Sequence, residues 1–141
     1  MGGNFMHHLS NFNYWAILAA ALFQWFLGAL WYSPPLFAKP WMAIVGRQKG
    51  DDKSGLATGM ICSIVCDFVL SFVLAHLVLW SGAHGYLHGA FVGFIAWAGF
   101  IACPSLPQGI YEGRPFKLFA INGGYWFVAL LVSGALLAVW R

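Results

Sequence analysis

The chain has 141 residues, of which 61% are hydrophobic and only 8% charged, with a formal net charge of +3 and a mean hydropathy of +0.75. Soluble domains carry about 25% charged and about 45–50% apolar residues, so too few charges are present to cover a water-facing surface. That composition leaves no room for a soluble catalytic or nucleic-acid-binding domain and points to a chain dissolved in lipid.

A helix crossing a hydrocarbon core about 30 Å thick needs about 20 mostly apolar residues. Four stretches meet this length. Residues 13–33 are uncharged and end at Pro34-Pro35, which cannot continue a helix. This stretch is read as a retained span and not a cleaved signal peptide, because residues 1–12 hold no Lys or Arg and the apolar run is full length. After the double proline, Leu36, Phe37, Trp41, Ile44 and Val45 recur at helical spacing with Lys39 and Arg47 beside them. The pattern predicts a short amphipathic helix on the membrane interface before a flexible segment over 46–55, the alternative being an ordered loop packed under the bundle. Residues 56–80 contain one charge, Asp67, and lead into the turn-like Ser81-Gly82-Ala83-His84. Residues 85–103 are uncharged and are expected to stop at Pro104, and residues 118–140 form a fourth uncharged stretch.

A membrane sheet would have to close into a barrel of about eight or more strands, and these segments are too long and lack two-residue alternation. The expected fold is therefore all-α, a single four-helix transmembrane bundle. Lys39, Arg47, Lys49, Lys53, Arg114 and Lys117 lie in the two longer connections, against Arg141 alone on the other side. The positive-inside rule then places both connections in the cytoplasm and both chain ends outside. A bacterial inner membrane is the expected location. Trp15, Trp31, Tyr32, Trp80 and Trp140 fall near span ends, where aromatic rings anchor helices at the interface. Cys62, Cys66 and Cys103 are an odd set, with the first two one turn apart, and read as buried small hydrophobes.

The first span and its exit read Asn13-Tyr-Trp-Ala-Ile-Leu-Ala-Ala, then Gly28-Ala-Leu-Trp-Tyr-Ser-Pro, Leu36-Phe37 and Lys39-Pro40-Trp41-Met42. Near the end comes Tyr111-Glu-Gly-Arg-Pro-Phe-Lys-Leu-Phe-Ala-Ile-Asn-Gly-Gly-Tyr125. Over essentially its whole length the chain resembles the bacterial membrane family catalogued as domain of unknown function 1761. That family is marked by a Trp-Tyr-Ser-Pro exit and an Ile-Asn-small-Gly-Tyr opening of the last helix. The resemblance implies a four-span membrane protein and brings no activity, substrate or catalytic residue. The family pattern has small or apolar residues where this chain has Asp67.

Asp67 is the foremost candidate. An ionised carboxylate at mid-membrane costs about 2.5–3.5 kcal/mol on insertion scales, and no span holds a Lys or Arg to pair with it. Gln24 falls at similar depth and is the expected hydrogen-bond partner, with Ser63 and Ser71 as alternatives and Asn122 nearer the cytoplasmic boundary. Such a carboxyl serves either a transport site or helix association. Gly55, Gly59, Ser63, Asp67, Ser71 and Ala75 form a small-residue row on the second span, and Gly85, Gly89 and Gly93 form another on the third. A four-residue turn joins these spans, so the rows are expected to pack on each other, or one of them to serve as a dimer face.

The histidines gather toward the outer side: His7 and His8 before the first span, then His76, His84 and His88. Imidazoles bind metals and titrate near neutrality, but this spacing matches no ligand motif, and interfacial histidines without chemical duty are the plainer reading. No phosphate loop, nucleophile elbow or zinc-protease motif occurs. The sequence therefore suggests a non-catalytic membrane module without a cofactor, either a homo-oligomer or an accessory subunit of a larger membrane complex. Its surroundings are the lipid bilayer, and nucleic acid is not a partner. The alternative is a small dimeric proton- or cation-coupled transporter using Asp67, with Gln24, Trp25 and Trp97 near its site. A membrane enzyme built on the outer histidines is the third reading.

Overall fold

A computed structural model describes residues 11–47 and 53–140; the side chains of Lys53 and Ser54 are outside the description. The described residues are helical, with no strand: α1 Tyr14–Trp31, α2 Ala38–Val45, α3 Lys53–Trp80, α4 Tyr86–Tyr111 and α5 Phe116–Val139. Helices α1, α3, α4 and α5 are each long and apolar enough to cross a membrane. His7, His8, Lys49 and Arg141 lie outside the described residues.

Local chemistry sets the helix ends. Asn13 caps α1, its Oδ1 accepting from the backbone N–H groups of Trp15 at 3.1 Å and Ala16 at 3.3 Å, which satisfies two of the donors a helix start leaves open. At the end of α3, Gly82 takes φ +65° while the N–H of Ala83 reaches back to the Val78 carbonyl, a turn that needs the left-handed residue to be glycine.

The centre of the bundle is α5. It is 44% buried over its most apolar window, against 28% for α1, 28% for α3 and 22% for α4. Its buried positions Leu118, Ile121, Tyr125, Ala129, Leu130, Ser133, Leu137 and Ala138 face α1, α3 and α4 in turn. The other spans bury one stripe each, as in Ala16, Ile17, Ala20, Ala21 and Gln24 of α1, at the three- and four-residue spacing of one helix face.

The small-residue rows do not pack on each other. Gly89 and Gly93 of α4 lie against α5, so close that a Cβ added to Gly89 would sit 2.2 Å from the Gly134 carbonyl oxygen and one on Gly93 2.1 Å from that of Leu130. Across the seam, a Cβ on Gly134 would meet the Gly89 carbonyl at 2.2 Å. The short turn after α3 makes it antiparallel to α4, but the backbone approach in lipid goes to whichever neighbour also lacks side-chain bulk, and that neighbour is α5. Gly85 belongs to the turn, with φ +82°, and Gly59 of α3 has open space around it.

The third span also runs further than its proline suggests. Instead of stopping at Pro104, α4 continues through Pro104 and Pro107 to Tyr111 by way of a π-turn, Ala98–Ala102, in which the Cys103 N–H bonds back five residues to the Ala98 carbonyl. A proline ring clashes with the carbonyl four residues earlier, and the wider π-turn relieves that clash without ending the helix.

The thiols of Cys62, Cys66 and Cys103 are exposed and not buried, because the halves of α3 and α4 that carry them pack on little else. Helix α2 forms where the apolar spacing puts it, half-buried, with Trp41 against Tyr32 and Ala38 buried.

The glycine seam yields the first test. Gly93→Ala is expected to lower stability by about 1–3 kcal/mol through overpacking against backbone. Gly59→Ala, in open space, should change it by no more than about 0.5 kcal/mol. Unfolding midpoints of both variants in mild detergent check the contrast.

Candidate functional site

Four polar side chains are buried in the bundle: Gln24 of α1, Asp67 and Ser71 of α3, and Ser133 of α5. The Gln24 Nε2 donates to Ser71 Oγ at 3.1 Å and to Ser133 Oγ at 2.9 Å, tying three helices together through one amide. From α5 the Tyr125 hydroxyl donates to the Gln24 backbone carbonyl at 2.9 Å. Gln24 Oε1 is buried with no hydrogen-bond partner among the described residues.

The expected Gln24–Asp67 hydrogen bond is not formed: both amide donors of Gln24 go to serine hydroxyls, and its Oε1 accepts from no group among the described residues. Asp67 is only 3% exposed and makes no hydrogen bond among the described residues. Ser63, one turn below it, is exposed and back-bonds to the Gly59 carbonyl at 2.7 Å. Asn122 lies away from this cluster and accepts from the Tyr32 hydroxyl at 2.7 Å. Sequence reasoning does not single out Ser133; its one signal is a hydroxyl in an otherwise apolar stretch of the last span.

Around Asn122 the two sequence motifs touch. Trp31, from the exit of α1, donates its indole N–H to the Ile121 carbonyl at 2.9 Å, while its neighbour Tyr32 holds Asn122. The rings of Trp31 and Tyr32 lie 6.5 Å and 5.9 Å from that of Tyr125, centre to centre. Gly28 leaves room for the Tyr125 hydroxyl, and a Cβ on Gly124 would come to 3.2 Å from the Trp31 ring. Trp97 of α4 reaches the same turn, donating to the Gly123 carbonyl at 2.8 Å. Trp31 and Tyr32 are half-buried and pack between helices at the end of α1, whereas Trp15, Trp80 and Trp140 are exposed at helix ends. Trp25 binds the Met60 carbonyl at 3.3 Å, outside the buried cluster.

Below this turn a cleft of about 1380 Å³ opens between α3, the second half of α4 and the start of α5. Tyr32, Asn122, Gly123 and Trp126 stand in its wall, and so do Ser63 and Leu70, which flank Asp67 along α3. Arg47, Glu112 and Arg114 line it from the connecting segments, which places the two basic connections at one end of the bundle. Glu112 accepts from Gln108 at 2.9 Å and from Arg114 at 2.6 Å, and these two bonds hold its carboxyl below the ordinary carboxylate range.

The described histidines do not converge. His76 is half-buried, with Nδ1 2.8 Å from the Phe72 carbonyl and its ring 4.3 Å from that of Phe12, while His84 and His88 are exposed. No group of three His, Cys, Asp or Glu side chains suited to a metal occurs among the described residues.

Residues 15–138 match the family described as Protein of unknown function (DUF1761). The chain belongs to that family. No curated protein and no solved structure matched. In this family member, the Trp-Tyr-Ser-Pro exit and the Ile-Asn-Gly-Gly-Tyr opening meet as one contact between α1 and α5.

Three substitutions rank these contacts. Trp31→Ala is expected to cost about 3–5 kcal/mol, since it removes a large packed ring as well as a hydrogen bond. Gln24→Leu should cost about 1–2 kcal/mol, near the upper end of hydrogen-bond values inside membranes, and Tyr125→Phe about 0.6 kcal/mol. Denaturant titration in micelles, followed by tryptophan fluorescence for the latter two and by circular dichroism for all three, measures the order.

Proposed function

We propose that the protein is a non-catalytic membrane module that self-associates or serves as an accessory subunit of a larger membrane complex, with its basic end in the cytoplasm and both chain ends outside. The observation that supports this reading is the use made of the interior polar groups. Gln24, Ser71, Ser133, Tyr125, Trp31 and Trp97 all join one helix to another. These are the bonds that hold helices together where lipid removes the hydrophobic drive. Association is then left to the outer faces. On α3, Ile61, Val65, Val69 and Val73 form an exposed strip on the side away from Asp67 and Ser71.

The native thiols test self-association. Cys62 and Cys66 border that strip, with their sulfurs 3.9 Å apart. With Cys103 replaced by serine, copper–phenanthroline oxidation in native membranes is expected to trap a dimer through α3. Replacing Cys62 and Cys66 should abolish it. A chain that stays monomeric by photobleaching counts in bilayers, with no co-purifying subunit, overturns the reading.

A second reading is a small dimeric transporter in which Asp67 takes up and releases a proton or cation. It is favoured by one observation, that Asp67 is a buried residue whose side chain makes no hydrogen bond to another helix among the described residues. Under it, Asp67→Asn keeps its fold and oligomeric state yet loses pH-gradient-driven flux in proteoliposomes. Equal flux through wild type, Asp67→Asn and protein-free vesicles removes it.

A further inference from the structure

The cleft beside α3 is a feature that the helix-to-helix bonding leaves unused. Its volume of about 1380 Å³ exceeds the roughly 300–1,000 Å³ of ordinary small-molecule sites. Its walls differ along their length. Leu56, Met60, Phe100, Phe119 and Trp126 supply apolar surface, whereas Arg47 and Arg114 stand at the end formed by the connecting segments. Residues 34–55 and 104–117 together hold six basic and three acidic residues, so this end keeps an excess of positive charge although Glu112, also in the cleft wall, pairs with Arg114 through its Nε. Between the two zones, Asn122 accepts from Tyr32, and its amide N–H groups make no hydrogen bond among the described residues. Asn122 lies six residues into α5, about 9 Å along the axis from Phe116. The cleft therefore runs from a cationic end, past a hydrogen-bond donor, to an apolar interior.

We propose that this cleft is a binding site for an anionic phospholipid, whose phosphate is held by Arg47 and Arg114 and whose acyl chain lies along α3 toward Trp126. Basic pockets between spanning helices at the cytoplasmic side suit anionic headgroups, and a cleft at that depth in a bilayer is filled by either a chain or a helix. Charge decides between these occupants. A second copy has the same orientation in the membrane, so a helix entering the cleft would bring its own basic end against Arg47 and Arg114. The site does not depend on whether α3 also mediates self-association, because the exposed strip of α3 is on the opposite side of that helix.

Native mass spectrometry of the full chain, titrated in detergent with phosphatidylglycerol or phosphatidylcholine, tests the site. One phosphatidylglycerol is expected to bind at least tenfold more tightly than phosphatidylcholine. Arg47→Gln and Arg114→Gln should each weaken it by about fivefold, from the attraction of one surface cation for an anionic lipid. Lys39→Gln, a basic residue outside the cleft wall, should leave it unchanged. Gly59→Phe, built where no atom lies within 4 Å of an added Cβ, should displace the lipid by filling the cleft, and Ser63→Leu should do so in part. The proposal is overturned by equal binding of the two lipids, by a loss in Lys39→Gln as large as in Arg47→Gln, or by retained lipid in both cleft-filling variants. A disulfide between two copies of Ser105→Cys, in a chain otherwise free of cysteine, places a second chain in the cleft and also overturns it.

Discussion

The backbone contact between α4 and α5 at Gly89, Gly93 and Gly134 is the constraint on which the rest of the bundle depends. Lipid tails are as apolar as leucine, so helices in a bilayer gain little by hiding apolar side chains from their surroundings. They gain by close packing, and these glycines bring the two backbones together with no side chain between them. Once α4 occupies one side of α5, only the other sides remain for α1 and α3. That arrangement makes α5 the central helix and places Ser133, one residue before Gly134, toward Gln24 and Ser71. The polar cluster and the glycine seam are thus two faces of the same turn of α5.

A second tie holds the other end of α5. Trp31 and Tyr32 contact it through one indole N–H and one hydroxyl, and Trp97 adds a third donor from α4. The carbonyls of Ile121 and Gly123 lie in the first half of a helix whose sequence, Asn122-Gly123-Gly124, is poor in side-chain bulk. Small residues expose backbone carbonyls to neighbouring donors, and a tryptophan ring gives both the donor and the surface to cover the gap. The two motifs that mark the family therefore need each other: the ring of Trp31 fits because Gly124 is small, and the hydroxyl of Tyr125 fits because Gly28 is.

Much of this was legible in the sequence, because the hydrocarbon core imposes length and composition on every span. The four apolar stretches and the singular position of Asp67 follow from that rule, and the short helix after Pro34-Pro35 from the helical spacing of its apolar residues. Pairing between helices was less legible. The rows at Gly59 and Gly89 look alike in sequence, yet one faces open space and the other touches backbone. What separates them is the complement on a third helix, Gly134 and Ala138, whose four-residue spacing was the available signal. Gln24 stands out in the sequence as a polar residue inside an apolar span, but its partners are two hydroxyls on different helices, and no local spacing encodes a three-helix contact. Cys62 and Cys66 follow a four-residue spacing, which says that they share a face but not which way the face points.

Pro104 misleads for a related reason. A proline removes one donor and one carbonyl position, but a π-turn upstream supplies a different ring closure, and α4 goes on to Tyr111. Beyond that turn the helix is exposed over nearly all its length, as is the first half of α3 facing it. The glycine seam ends at Gly93, just before the π-turn, so nothing draws the remainder of α4 back onto α5. Close packing in one half of the bundle and a proline-tolerant turn at its edge together leave the cleft in the other half. Its position at the basic end follows from the same chain order, since both connections that carry the Lys and Arg residues emerge where the helices are farthest from the seam.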